Sequence, residues 1–95
     1  MRLRYTRRAQ ADLSTINDYL KERNPSGAQN VIRAIHRAVA LIARQPLSAR
    51  ATDDPAVRVK LVAKYPYKVF YRVSDCVDVI HVRHAARRPW EGEND

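Results

Sequence analysis

Two apolar stripes at helical spacing, separated by only a few residues, constrain this chain more than anything else in it. Ala9, Leu13, Ile16 and Leu20 recur at steps of four, three and four, and Ala28, Ile32, Ile35, Val39 and Ile42 continue the same pattern further on. Each set lies along one face of an α-helix. Between them stands Asn24-Pro25-Ser26-Gly27. Asn24 suits an N-cap, and Pro25 suits the first position of a new helix, where its missing N–H would go unbonded anyway. Pro46 stops the second helix at about Gln45. With so short a connection the two helices form an antiparallel hairpin. Such a hairpin needs a second layer against which to bury its stripes.

The rest of the chain supplies that layer. Arg2 to Tyr5 alternates as a short strand with Leu3 and Tyr5 on one face, and Thr6 is placed to cap the first helix. Leu47 to Ala56 reads as a surface loop. Three β-branched or aromatic runs follow: Val57 to Ala63, Tyr67 to Val73, and Val77 to Arg83. The gaps between them are short, which implies antiparallel neighbours. The order is therefore β-α-α-β-β-β. The expected fold is a two-layer α+β domain, with an N-terminal helical hairpin packed on a small, mainly antiparallel sheet. At 95 residues there is material for one modest core. One domain over residues 1–90 is expected, with an acidic tail over residues 91–95.

Charge bears on partners rather than on fold. The formal net charge is +8. All 18 basic residues but only seven of the ten acidic ones precede Glu91, so residues 1–90 carry +11. Between Arg58 and Arg88 there are eight basic residues against Asp75 and Asp78. A charge this large points to an acidic partner, a nucleic acid or both. Cys76 is the single cysteine, so no intrachain disulfide can form, which fits a reducing compartment. The N-terminal residues hold no apolar run of signal-peptide length, and no stretch reaches the roughly 20 apolar residues of a membrane span. A cytoplasmic protein without a membrane partner is expected.

Strand alternation assigns candidate binding residues. In the Val57 run, Arg58, Lys60, Val62 and Lys64 share one face while Val59, Leu61 and Ala63 share the other. In the Tyr67 run, Val69, Tyr71 and Val73 oppose Lys68, Phe70 and Arg72. Placing Val59, Leu61 and Ala63 under the helices with Val69, Tyr71 and Val73 leaves an outer face of Arg58, Lys60, Lys68 and Arg72 around Phe70. A basic face with an aromatic in it suits phosphate and base contact, or an acidic peptide. The plain alternative is a solvated polar face. Arg83, Arg87, Arg88 and Trp90 extend the candidate binding set into the C-terminal stretch, since Arg and Trp are enriched at binding hot spots. Trp90 is equally suited to packing back on the core edge. No metal site is expected, because His81 and His84 are three apart at a strand end and lack further ligands at a suitable spacing. No glycine-rich phosphate loop is present, and Cys76 has no evident activating base. No cofactor is expected. His36 reads as a boundary residue beside the second stripe.

Three stretches carry a resemblance. They are Tyr5-Thr6 followed by Ala9, Asp12-Leu13, Ile16 and Tyr19-Leu20; Tyr65-Pro66-Tyr67-Lys68-Val69-Phe70-Tyr71-Arg72-Val73; and Val82-Arg83-His84-Ala85-Ala86-Arg87-Arg88-Pro89-Trp90. Together they resemble the ParE-like branch of the ParE/RelE toxin superfamily, also called plasmid-stabilisation proteins. The resemblance covers nearly the whole chain, and its last two motifs are specific in combination. It implies a toxin neutralised by a cognate antitoxin encoded beside it, with operator DNA bound only through that antitoxin. ParE-like members are similar to DNA gyrase inhibitors that need no catalysis of their own. RelE-like members cut mRNA on the ribosome. For that alternative Lys60, Lys68, His84 and Arg87 occupy positions suited to catalysis by resemblance. RelE-type enzymes usually carry a C-terminal Tyr, and here Trp90 stands in that region without an exchangeable acid proton. A third reading is a basic binding protein without toxicity.

Overall fold

The computed structural model describes residues 1–85. Its elements are β1 (Leu3–Tyr5), α1 (Arg7–Arg23), α2 (Pro25–Arg44), β2 (Arg50–Ala51), β3 (Val57–Leu61), β4 (Tyr67–Val73) and β5 (Val77–His84). The helix boundaries follow from their caps. The Thr6 hydroxyl accepts from the Ala9 amide at 3.1 Å, and the Asn24 side chain accepts from the Gly27 amide at 3.0 Å. A side chain on Gly27 would meet the Asn24 amide at 2.8 Å, so a glycine lets that cap close.

The five strands form one sheet in the order β1-β5-β4-β3-β2. β1 runs parallel to β5, and the other pairs are antiparallel. The two-layer α+β order expected from the hydrophobic pattern is the one observed. β2 corrects the expectation of an irregular loop over residues 47–56. Its two residues pair with Val59 and Arg58, and Thr52 then folds the chain back by donating to the carbonyls of Asp54 and Val57. The helices bury Ala9, Val31, Ile35, Val39 and Ile42 against Val69, Tyr71, Val77, Val79 and Val82 of the sheet. Leu13, Ile16 and Leu20 pack at the margin of this core.

Two departures from simple alternation position the functional surfaces. The first is in β3. Arg58 lies opposite Tyr71 and Lys60 opposite Val69, and antiparallel partners point to the same side. Tyr71 and Val69 are in the core beneath the helices, so Arg58 and Lys60 are on the helix side, not the outer side. Val59 and Leu61 are on the outer side, which reverses the expected assignment of this strand. The second is a bulge in β5. Phe70 pairs with His81 and Tyr71 with Val79, so Ile80 has no partner of its own. Val79 and Val82 both reach the helix-side core, while Ile80 and His81 pair with the outer-side residue Phe70 by packing and stacking.

The bulge meets α1. β1 covers only Val77 to Val79 of the β5 edge. Beyond it, the Thr6 hydroxyl donates to the Ile80 carbonyl at 3.3 Å, and the Val82 amide donates to Asp12 Oδ2 at 3.0 Å. The same carboxylate oxygen lies 2.6 Å from His81 Nδ1, which places the ring proton there. His81 Nε2 then accepts from Arg8 Nη2 at 3.3 Å. Asp12 is thus the link between that helix and the sheet. Removing this acceptor leaves an edge amide and a buried imidazole without it. Asp12→Ala is expected to cost about 1–3 kcal/mol in urea unfolding, and Asp12→Asn less, since its amide oxygen still accepts from Val82. Wild-type stability in Asp12→Ala would show that the link carries no weight.

Candidate functional site

On the side of the sheet away from the helices, Lys68 lies opposite Arg83, and Arg72 lies opposite Asp78. This part of the expected basic face is present. Phe70, expected to be offered there as an exposed aromatic, is only 2% exposed. It packs with Val57, Ile80 and Val59 as a second small core. The His81 ring stacks on it at 5.7 Å with an interplanar angle of 23°, and the Arg83 guanidinium lies over it at 4.9 Å. Phe70 therefore anchors the side chains around it rather than presenting its own face. At the neighbouring corner Arg4 Nε donates to Asp78 Oδ1 at 2.9 Å. This bond holds the Asp78 carboxyl below the usual carboxylate range, against a smaller opposing effect of burial.

On the helix side, Arg58 has a structural task. Its Nη1 donates to the carbonyls of Leu47 and Ala49, at 3.2 and 2.7 Å. The Tyr71 hydroxyl donates to the Pro46 carbonyl at 2.5 Å, so both side chains tie the end of α2 to the sheet. Burial raises the Tyr71 pKa, and nearby Arg58 opposes the rise. Lys60 lines a groove of about 240 Å³ between α2 and the turn joining β3 to β4. Arg33, Arg37 and Lys64 share that groove. Arg33 and Arg37 were not singled out in sequence, because both fall on the polar side of α2 and only the fold brings them to Lys60.

A wider depression of about 530 Å³ runs between α1 and the end of β5, lined by Asp12, Ile16, Tyr19, Tyr67, Arg83 and His84 among others. His84 meets the Tyr67 ring edge-on at 5.4 Å. Tyr19 carries the Arg23 guanidinium over its ring at 3.8 Å. His36, read as a boundary residue, is exposed, with Nδ1 at 3.1 Å from the Tyr5 hydroxyl. Among the described residues no three His, Cys, Asp or Glu side chains gather to hold a metal ion.

Of the set suggested for ribonuclease chemistry, the three described residues do not converge. Lys60 is on the helix side of β3, Lys68 on the outer side of β4, and His84 on the helix side of β5, packed on Tyr67. Arg87, Arg88, Trp90 and the acidic tail over residues 91–95 lie outside the described residues.

The family model of the ParE toxin of type II toxin-antitoxin systems, parDE, matches residues 3–89. The chain belongs to that family. It is similar to Y4kP of Sinorhizobium fredii, with 34% identity over 84 residues and 88% of each chain covered. It is also similar to toxin RelE2 of Caulobacter vibrioides, with 36% identity over 84 residues, covering 87% of this chain and 93% of the relative. In fold it resembles a chain of the chromosomal ParDE system from P. aeruginosa, at a TM-score of 0.78 and 23% identity, covering 88% of this chain and 95% of that one. A chain of the RelBE2 toxin–antitoxin complex from Mycobacterium tuberculosis superposes at a TM-score of 0.60 and 21% identity, covering 90% and 92%.

Two outcomes test this geometry. Arg58→Met keeps an apolar stem but loses both carbonyl contacts, and is expected to cost about 1–3 kcal/mol in thermal or urea unfolding. An unchanged midpoint would contradict the role given to Arg58. The Asp78 carboxyl should titrate below an ordinary aspartate in a carbon-detected NMR experiment, and move upward in Arg4→Gln. A folded pKa below the unfolded one means that the Asp78 contribution is present above the unfolded value and is lost as pH falls through the folded one.

Proposed function

We propose that this protein is a toxin that acts by binding, inhibiting DNA gyrase in the cytoplasm until a cognate antitoxin neutralises it. The observation that carries this reading is the scatter of Lys60, Lys68 and His84 over two sides of the sheet. Phosphodiester cleavage needs cations and an acid–base group around one reacting phosphate. Inhibition by binding needs only complementary surfaces. Membership in the ParE toxin family supports the same reading. The antitoxin is the natural acidic partner for a chain of net charge +8, because opposite potentials speed encounter and suppress wrong pairings.

A second reading, ribosome-dependent mRNA cleavage, is favoured by the similarity to toxin RelE2. Gyrase and supercoiled plasmid separate the two. Incubation with the purified protein should inhibit supercoiling and accumulate cleaved complexes, and a molar equivalent of antitoxin should reverse both. Untouched gyrase at high excess, together with cleavage of mRNA in the ribosomal A site, would replace the first reading with the second.

A further inference from the structure

The side of the sheet away from the helices gathers cations from four strands. Lys68 and Arg72 belong to it on β4, and Arg83 on β5 lies directly opposite Lys68. Arg50 of β2 pairs with Val59, which pairs with Phe70, so it shares this side. Arg4 of β1 lies opposite Asp78 and completes the set. The carboxylates beside them, among the described residues, are Asp78 and Asp53. Asp78 is bound by Arg4, and Asp53 lines a hollow of about 150 Å³ with Arg50, Val59, Lys68 and Phe70. Lys68 and Arg83 stand in a relation that weakens a strand pair, because like charges directly opposite repel. The pairing of β4 with β5 therefore does not account for them. Neither Arg50 nor Lys68 makes an ion pair or a side-chain hydrogen bond among the described residues. Phe70 is buried beneath the His81 ring and the Arg83 guanidinium. It offers no platform on which an unpaired base could stack, as single-stranded nucleic acids require of such a face. The face offers charge without stacking, which suits a nucleic acid whose bases are already paired inside it.

We propose that this face contacts the phosphate backbone of duplex DNA, without reading its sequence, in the complex that gyrase forms with its substrate. The inference rests on the gyrase reading above and adds the surface and the chemical class that it meets. Lys68 and Arg72 are four residues apart on one side of β4, about 13 Å along the strand. Duplex DNA carries one phosphate per about 1.7 Å of its axis, so several phosphates face a patch of this length. Backbone contacts of this kind position a protein on a duplex and carry no sequence information.

The test is fluorescence anisotropy with a labelled DNA duplex of arbitrary sequence over a series of salt concentrations, with gyrase supercoiling assayed on the same preparations. Wild-type affinity should fall steeply with salt and change little with sequence. Lys68→Gln and Arg50→Gln should each weaken binding several-fold and reduce the salt slope by about one. Together they should weaken it about tenfold or more, and gyrase inhibition should fall in parallel. Lys68→Arg keeps the charge and should stay within about twofold of the wild type, which separates loss of contact from damage to the fold. Lys21→Glu, a larger charge change on an exposed position of α1, should also stay within about twofold, because salt screens distant charges. A loss in Lys21→Glu equal to that in Lys68→Gln would overturn the face in favour of bulk charge. Wild-type affinity in the double variant would overturn it outright. Tighter binding to a single-stranded RNA of equal length would give the face to RNA instead. Gyrase inhibition by a protein that binds no duplex at low salt would overturn the face and leave the gyrase reading standing. Duplex binding that depends on Lys68 and Arg50 while gyrase stays untouched would overturn the gyrase reading alone, with DNA itself as the ligand.

Discussion

β5 is eight residues long, and the strand beside it, β1, covers only three of them. The rest of that edge carries backbone groups that must be bonded somewhere. α1 meets part of the demand with side chains: Thr6 donates to the Ile80 carbonyl, and Asp12 accepts from the Val82 amide. This arrangement sets much else. It fixes α1 beside the edge, which orients the hairpin over the sheet. It also coincides with the bulge that turns His81 toward Phe70, and so joins the second small core to α1 through the Asp12 carboxylate. α1 thereby covers the stretch of β5 from Ile80 to Val82 that β1 leaves open, as exposed strand edges generally require.

The helical layer was legible because its signals are local and agree with one another. Thr6 and Asn24 cap where the stripes begin, Pro25 opens the second helix, and the chain leaves it one residue before Pro46. The sheet faces were legible only in part. In β4 the contrast between Val69, Tyr71 and Val73 and their neighbours is strong, and the assignment holds. In β3 the apolar residues Val57, Val59 and Leu61 face outward, so placing the apolar set inside picks the wrong face. The pairing of Arg58 with Tyr71 and of Lys60 with Val69 decides it. β5 hides its phase differently, because one extra residue at the bulge lets Val79 and Val82 share a side that strict alternation denies them. The role of Asp12 was not legible, since its partner is a backbone amide 70 positions away.

The same redistribution changes how the basic residues work. A single cationic sheet face was expected, and the structure divides it. Lys68, Arg72 and Arg83 stay outside around a buried Phe70, Arg58 is spent on the carbonyls of Leu47 and Ala49, and Lys60 joins Arg33, Arg37 and Lys64 in a groove beside α2. Two separated cationic surfaces suit a protein that engages partners better than one that assembles a reaction centre. Long-range attraction to an acidic partner needs only the summed field, whereas catalysis needs groups held at one point.

That contrast can be measured in growing cells. After induction of the protein without antitoxin, a DNA-damage reporter and the rate of amino-acid incorporation can be followed in one culture. Inhibition of gyrase by binding predicts that the reporter rises while incorporation initially continues. A collapse of incorporation before any reporter signal would contradict the account and place the target on the ribosome.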